Sequence, residues 1–137
     1  MHRTGRAPEV GYVGEELDLR IRRGATFGPI EIAITDAAGV AHDASGWTFR
    51  AQMRKKASAA GAPAGEFTFD VTQSASGRVF MSMPASSTLA LLAGDVPEAP
   101  ESVYVWSAEC ERPDGSVHPL FYGKVRVWND PTIPPAV

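Results

Sequence analysis

The stretch SVYVWSAECERPDGSVHPLFYGKVRVWND, residues 102–130, decides the fold. Tyr104, Trp106, Ala108 and Cys110 alternate with Ser107, Glu109 and Glu111. A period of two buries one face of a strand and wets the other. Pro113-Asp114-Gly115 then reads as a turn: proline presets φ, Asp bonds its own backbone, and Gly accepts a positive φ. Val117, Pro119 and Phe121 make a second strand. Beyond Gly123, Val125 and Val127 alternate with Lys124, Arg126 and Trp128 to make a third. The expected structure is a three-stranded β-meander seeded by the largest aromatic cluster of the chain. No catalytic constellation accompanies it.

Working outward, the same alternation recurs upstream. Leu17, Leu19 and Ile21 oppose Asp18, Arg20 and Arg22 in a strand over Glu15 to Arg23, which Gly24 to Pro29 interrupts. Ile30, Ile32 and Ile34 then alternate with Glu31, Ala33 and Thr35, a strong signal because β-branched residues suit a pleated surface. After the turn Asp36 to Gly39 and a short connection to Gly46, Trp47, Phe49, Ala51 and Met53 define a half-buried strand. Its other face carries Arg50 and Arg54 and continues into Lys55 and Lys56. Ala57 to Gly65 has a loop composition. Phe67, Phe69 and Val71 form the next strand, Ser74 to Gly77 the turn, and Val79, Met81 and Met83 its antiparallel partner. One helix is expected, Pro84 to Gly94, with Pro near its start and Gly as its stop. At about two turns it must pack through Leu89 and Leu92 to persist.

These signals predict an all-β protein: an antiparallel immunoglobulin-like β-sandwich with one short helix and extended terminal arms. A small barrel is the alternative. The domain runs over residues 15–129. Residues 1–14 read as an extended N-terminal arm and residues 130–137 as a proline-rich tail that cannot enter a sheet interior. Trp47, Phe49, Phe67, Phe69, Tyr104 and Trp106 are expected to share one core between two sheets.

Composition bounds the function. The chain has 137 residues and 44% hydrophobic content, enough for one domain to bury roughly two thirds of its unfolded surface. No apolar run approaches the roughly 18 residues of a membrane span, and the first 14 residues lack the apolar segment of a secretory signal. The net charge of −3 is unevenly shared. Nine Lys/Arg face seven Asp/Glu before Ala57, and four face nine from there on. A dedicated nucleic-acid binder would show a basic stripe and a high pI, so neither nucleic acid nor membrane is an expected partner. The asymmetry does permit end-to-end electrostatic complementarity with a partner or a second copy.

Candidate chemistry is sparse. His2, His42 and His118 lie in the arm, a loop and a strand, without the clustering a metal site needs. No strained G-x-S-x-G elbow marks a nucleophile. Gly24-Ala-Thr-Phe-Gly28 lacks the following Lys and helix of a phosphate loop and reads as a strand break. Glu15/Glu16 and Glu109/Glu111 read as solvated carboxylates. The single Cys110, on an apolar strand face, reads as an inert packed thiol. Arg50, Arg54, Lys55 and Lys56 could contact phosphates but read first as a charged surface that blocks strand-to-strand aggregation. No catalytic, cofactor-binding or metal-ligating residue is assigned, and no cofactor. The outward Trp128 beside the tail reads equally as an interface residue or as one covered by the domain's own tail.

The order of these signals resembles a family. DLRIRRGATFGPIEIAITDAAGVAHDASGWTFRAQMRK, then GEFTFDV, SGRVFMSMPASSTLALLAG and YVWSAECERPDGSVHPLFYGKVRVW, resemble the small immunoglobulin-like structural proteins of tailed bacteriophages, of baseplate-upper and tail-fibre-attachment type. The corresponding elements are Gly24 to Phe27, Asp43 to Arg54, the helix near Ser86 to Gly94, and Asp114 to Val127, so the likeness covers about Leu17 to Val127. The resemblance implies a non-enzymatic virion component made in the host cytoplasm. Such a component is an adaptor joining other virion proteins in tail, baseplate or neck, present in multiple copies of a symmetric assembly. The alternatives are a capsid decoration protein, or a small carbohydrate- or ligand-binding module using Trp47, Trp106 or Trp128.

Overall fold

A computed structural model describes residues 4–6, 14–56, 61–91 and 101–128, with the backbone alone for residues 4–6 and 101. Its strands are β1 (Thr4–Arg6), β2 (Glu15–Glu16), β3 (Leu19–Arg22), β4 (Phe27–Thr35), β5 (Thr48–Arg54), β6 (Gly65–Glu66), β7 (Thr68–Asp70), β8 (Arg78–Met83), β9 (Glu101–Glu111) and β10 (Val117–Trp128). A short α-helix, α1 (Ala85–Ala90), follows β8. The strands form two sheets. The smaller has the order β1-β4-β8-β7; the larger has β2-β10-β9-β5-β6, with β3 also on β10. The protein is an all-β, immunoglobulin-like sandwich. Its central pairs are antiparallel, while β1 runs parallel to β4 and both β2 and β3 run parallel to β10.

Side chains from both sheets meet in one core. Ile32, Ile34, Val79, Met81 and Met83 from the smaller sheet face Leu19, Ile21, Phe49, Ala51, Met53, Tyr104, Trp106, Phe121, Val125 and Val127 from the larger. The aromatic rings form two connected runs. Phe27, Phe67, Trp106 and Phe121 make one, and Trp47, Phe49 and Phe69 the other. Of the six aromatics expected to share the core, Phe49, Phe67, Tyr104 and Trp106 are buried, whereas Trp47 and Phe69 are partly buried against its edge.

Four expectations are corrected by tertiary structure. The meander of three strands is one long hairpin, β9 and β10, because β10 is continuous through Gly123. A register shift between Pro119 and Phe121 buries Leu120 and Phe121 together. The alternation therefore changes phase there, and Val117 stands on the outer face at 49% exposure. Phe67 to Val71 is not one strand. β6 pairs with β5 in the larger sheet and β7 with β8 in the smaller. The chain crosses between sheets at the buried Phe67, a corner of the kind that joins two packed layers. Val71 lies beyond the strand, exposed. Finally, α1 packs through Thr88 and Leu91, with Leu89 half-buried; Leu92 and Gly94 lie outside the described residues.

Thr88 shows how so short a helix is held. Its hydroxyl, fully buried, donates to the carbonyls of Ala25 (2.8 Å) or Ala85 (3.0 Å) and accepts from the Gly24 N–H (3.0 Å). Arg23 adds an Nε–H bond to the Leu89 carbonyl at 2.9 Å. The glycine-bearing turn after β3 is thus the seat of the helix, and its amide is satisfied internally. Of the stretch read as an arm, Thr4–Arg6 forms β1. The rest of residues 1–13 and the whole tail lie outside the described residues.

Candidate functional site: the outer face of the larger sheet

Strand register places every outward side chain of the larger sheet in a cross-strand row, because residues opposite one another on paired strands share a face. At one end, Thr48, Glu111 and Val117 form a row, followed by Arg50, Glu109 and Pro119. Gln52, Ser107, Tyr122 and Glu16 come next, then Arg54, Val105 and Lys124 with Asp18 beside them. Val103, Arg126 and Arg20 follow, and Trp128 with Arg22 closes the series. Glu109 and Glu111 thus sit at one end of the face and Arg20, Arg54, Lys124 and Arg126 toward the other, with Glu16, Asp18 and Glu66 among the rows between.

The individual contacts sharpen this gradient. Arg50 donates to Glu109 at 2.7 Å and to Glu111 at 3.1 Å. Hydrogen bonds to Glu109 and then Glu111 hold its guanidinium more firmly protonated. Being exposed, the pair contributes little to stability, but it cancels the Arg50 charge. The basic strip expected along β5 is therefore split. Arg50 is neutralised among carboxylates, while Arg54 bonds the Gly61 carbonyl at 2.7 Å and belongs with Lys124, Arg126 and Arg20 from other strands. In sequence those three are only the polar halves of their own strands; their grouping follows from the parallel pairing of β3 with β10.

Apolar groups lie among these cations. Val103, Tyr122 and Trp128 are 41%, 43% and 37% exposed. The Arg20 guanidinium stands 4.0 Å from the centre of the Trp128 ring, a cation–π contact that holds the indole against the sheet. A shallow groove of about 370 Å³ runs between Gln52, Arg54, Val105, Ser107 and Tyr122, and a smaller one of about 180 Å³ borders Arg50, Ser107 and Glu109. Trp128 is thus on the surface as expected. Trp106 is buried, which removes it as an open ligand platform, and Trp47 is partly buried with the Arg112 guanidinium over its ring.

The remaining candidates are dispersed. His42 lies against Trp47, ring centres 5.5 Å apart, and His118 Nε2 is 3.1 Å from Ser116 Oγ; His2 lies outside the described residues. Among the described residues no three His, Cys, Asp or Glu side chains gather as metal ligands. Cys110 is fully buried, and desolvation pushes its thiol pKa up to about 11, so it carries little thiolate near neutrality. No described helix is long and apolar enough to cross a membrane.

The three loops at the carboxylate end share one construction. Asp36 Oδ1 accepts from the amides of Ala38 and Val40, Asp43 Oδ1 from Ser45, Asp70 Oδ1 from Thr72 and Asp114 Oδ1 from Ser116, all at 2.8–3.0 Å. These are Asx turns, in which a short carboxylate replaces a backbone acceptor. Hydrogen bonds from Ser45, Thr72 and Ser116 lower the pKa values of Asp43, Asp70 and Asp114. The loops are fastened together. Ala44 N–H donates to the Ser74 carbonyl at 2.9 Å, and the Arg112 guanidinium covers Trp47 at 4.8 Å.

No protein-family model matches the chain, and no curated protein sequence matches it. Among solved structures, a crystal structure of the bradyzoite-specific antigen BSR4 from Toxoplasma gondii is similar at 9% identity with a TM-score of 0.30. The match covers 85% of this chain and 44% of that one.

Proposed function

We propose that this protein is a non-enzymatic structural component of a tailed-phage virion, an adaptor that joins other virion proteins through the outer face of its larger sheet. The observation that carries this reading is the exposed Val103, Tyr122 and Trp128 set among Arg20, Arg54, Lys124 and Arg126. Aromatic and arginine side chains together are what protein interfaces enrich. The order of sequence motifs supplies the virion context. Mass spectrometry of particles purified from the phage or prophage that encodes the chain tests the proposal. The chain is expected in those particles at a fixed stoichiometry. Its absence from intact, infectious particles overturns the reading.

The groove beside Tyr122 supports a second reading, a small ligand- or carbohydrate-binding module, since Gln52, Ser107 and an aromatic ring converge there. A glycan array decides between them. A specific hit lost in Tyr122→Ala selects the module.

A further inference from the structure

We propose that the cationic half of the larger sheet's outer face binds the aspartate-bearing loop end of a second copy of this chain, head to tail. This goes beyond the virion reading and stands independently of it.

The argument begins with polarity along the strands. The loops of residues 36–47, 71–77 and 112–116 all lie at one end of the sandwich, tied by the Ala44–Ser74 bond, by His42 N–H to the Ile34 carbonyl (2.9 Å), by Ile34 N–H to Gly77 (2.8 Å) and by Arg112 over Trp47. That end displays Asp36, Asp43, Asp70 and Asp114, each held in position by its own turn. Toward the opposite end stand Arg20, Arg54, Lys124 and Arg126, with Lys56 beyond the end of β5. The two ends therefore carry excess charge of opposite sign, although Arg112 stands at the aspartate end and Glu16, Asp18 and Glu66 beside the cations, and opposite poles attract along the sandwich axis.

Exposed apolar residues divide in the same way. Val40, Val71 and Val117, at 60%, 43% and 49% exposure, belong to the aspartate end. Val103, Tyr122 and Trp128 belong to the cationic face. Each pole thus pairs charge with uncovered hydrophobic surface, and the two poles complement each other in charge. Charge complementarity steers and registers an interface, while burial of the valines and the tryptophan stabilises it. A nucleic acid would satisfy the cations but leave Val40, Val71 and Val117 unaccounted for. An unrelated acidic protein satisfies one pole alone; a second copy satisfies both. Because the two patches differ, the contact is heterologous and generates a ring or a filament rather than a closed two-fold dimer.

Complementary charge reversal tests this. One variant carries Arg20→Glu, Lys56→Glu and Lys124→Glu. The other carries Asp36→Asn, Asp43→Asn, Asp70→Asn and Asp114→Asn with Ala37→Lys, Ala38→Lys and Ala75→Lys. Asn preserves the Asx turns, and the Asn changes alone serve as a neutral variant should the lysine set not fold, as judged by circular dichroism. Sedimentation velocity at about 20 mM and about 500 mM salt reads the outcome, since exposed charges act over some 20 Å in the first and a few Å in the second. The wild-type mass is expected to rise at least twofold above 14.6 kDa with concentration at low salt and to fall back at high salt. Each variant alone stays at the monomer mass, and an equimolar mixture of the two reversed variants associates again. A wild type that stays monomeric at low salt overturns the proposal. So does association that survives neutralising either pole. So does a mixture of reversed variants that fails to associate.

Discussion

Trp106 donates its indole Nε1–H to the Leu17 carbonyl at 2.7 Å, from the centre of the larger sheet to the link between β2 and β3. Gly123 makes this contact possible. It lies opposite Trp106 in register, and a Cβ there would stand 2.3 Å from the Leu17 oxygen. Beside it, Asp18 Oδ1 accepts the Lys124 amide at 3.0 Å in place of a backbone carbonyl. Phe in place of Trp106 keeps an aromatic ring but removes the donor and the pyrrole half of the indole, so a cavity adds to the loss. The expected cost is about 1–3 kcal/mol for the orphaned acceptor, read by denaturant unfolding. Gly123→Ala forces the strands apart and costs about as much or more. An unfolding midpoint unchanged in both would show that the link between β2 and β3 is not tied to the core here.

Phe121 and Phe69 test where the core ends. Phe121 is buried and stacked with Trp106, ring centres 6.4 Å apart, whereas Phe69 packs on Phe49 at the margin. Phe121→Ala should cost about 3–5 kcal/mol, the usual loss for a fully buried ring, and Phe69→Ala clearly less. The reverse order in chemical denaturation would place the centre of the core on β7.

The Thr88 hydroxyl links α1 to the turn after β3. Thr88→Val keeps the shape and leaves the Gly24 amide without its acceptor, for an expected loss of about 1–3 kcal/mol. Hydrogen exchange separates this from general destabilisation. Protection should fall first at Gly24 and in α1, before the β9–β10 hairpin; a uniform fall would argue against a local anchor.

Cys110 sets the alkaline limb of stability. Its folded pKa is raised to about 11 from 9.0 by burial, so between those values the unfolded thiol ionises while the folded one stays protonated. The folded state then binds more protons, and stability falls as pH rises through that window, by at most about 1.4 kcal/mol per unit. Cys110→Ala should flatten that part of the profile. Alkylation of the native protein should track global opening. Rapid labelling of the folded chain would overturn the inert-thiol assignment.

Asp43, Asp70 and Asp114 act at the acid end. Their pKa values are lowered in the fold, so the stability they contribute is present above the ordinary carboxylate value of 3.8 and lost as pH falls through the lower native values. Replacing all three with Asn keeps the turn geometry and should flatten thermal stability below about pH 4. An acid limb as steep as that of the wild type would assign it to other carboxylates.

The sequence alone determined the class of fold and most of its strands, because a period of two is a local property that burial enforces wherever one face meets a core. Ile32/Ile34, Phe49/Met53, Val79/Met83 and Tyr104/Cys110 all point inward as their alternation requires. It also determined the turns at Asp36 and Asp114, whose side chains bond their own backbone; the turn at Asp43, read only as a short connection, came from the structure. Tertiary structure decided what depends on neighbours distant in the chain. The shift at Leu120 that turns Val117 outward, the crossing of sheets at Phe67, and the gathering of Arg20 with Arg126 and Trp128 each arise from pairing with another strand. No residue signals such a pairing by its own identity. Interfaces are made of those groupings, so the fold was legible in the chain while the candidate surface had to await the register of β3 on β10.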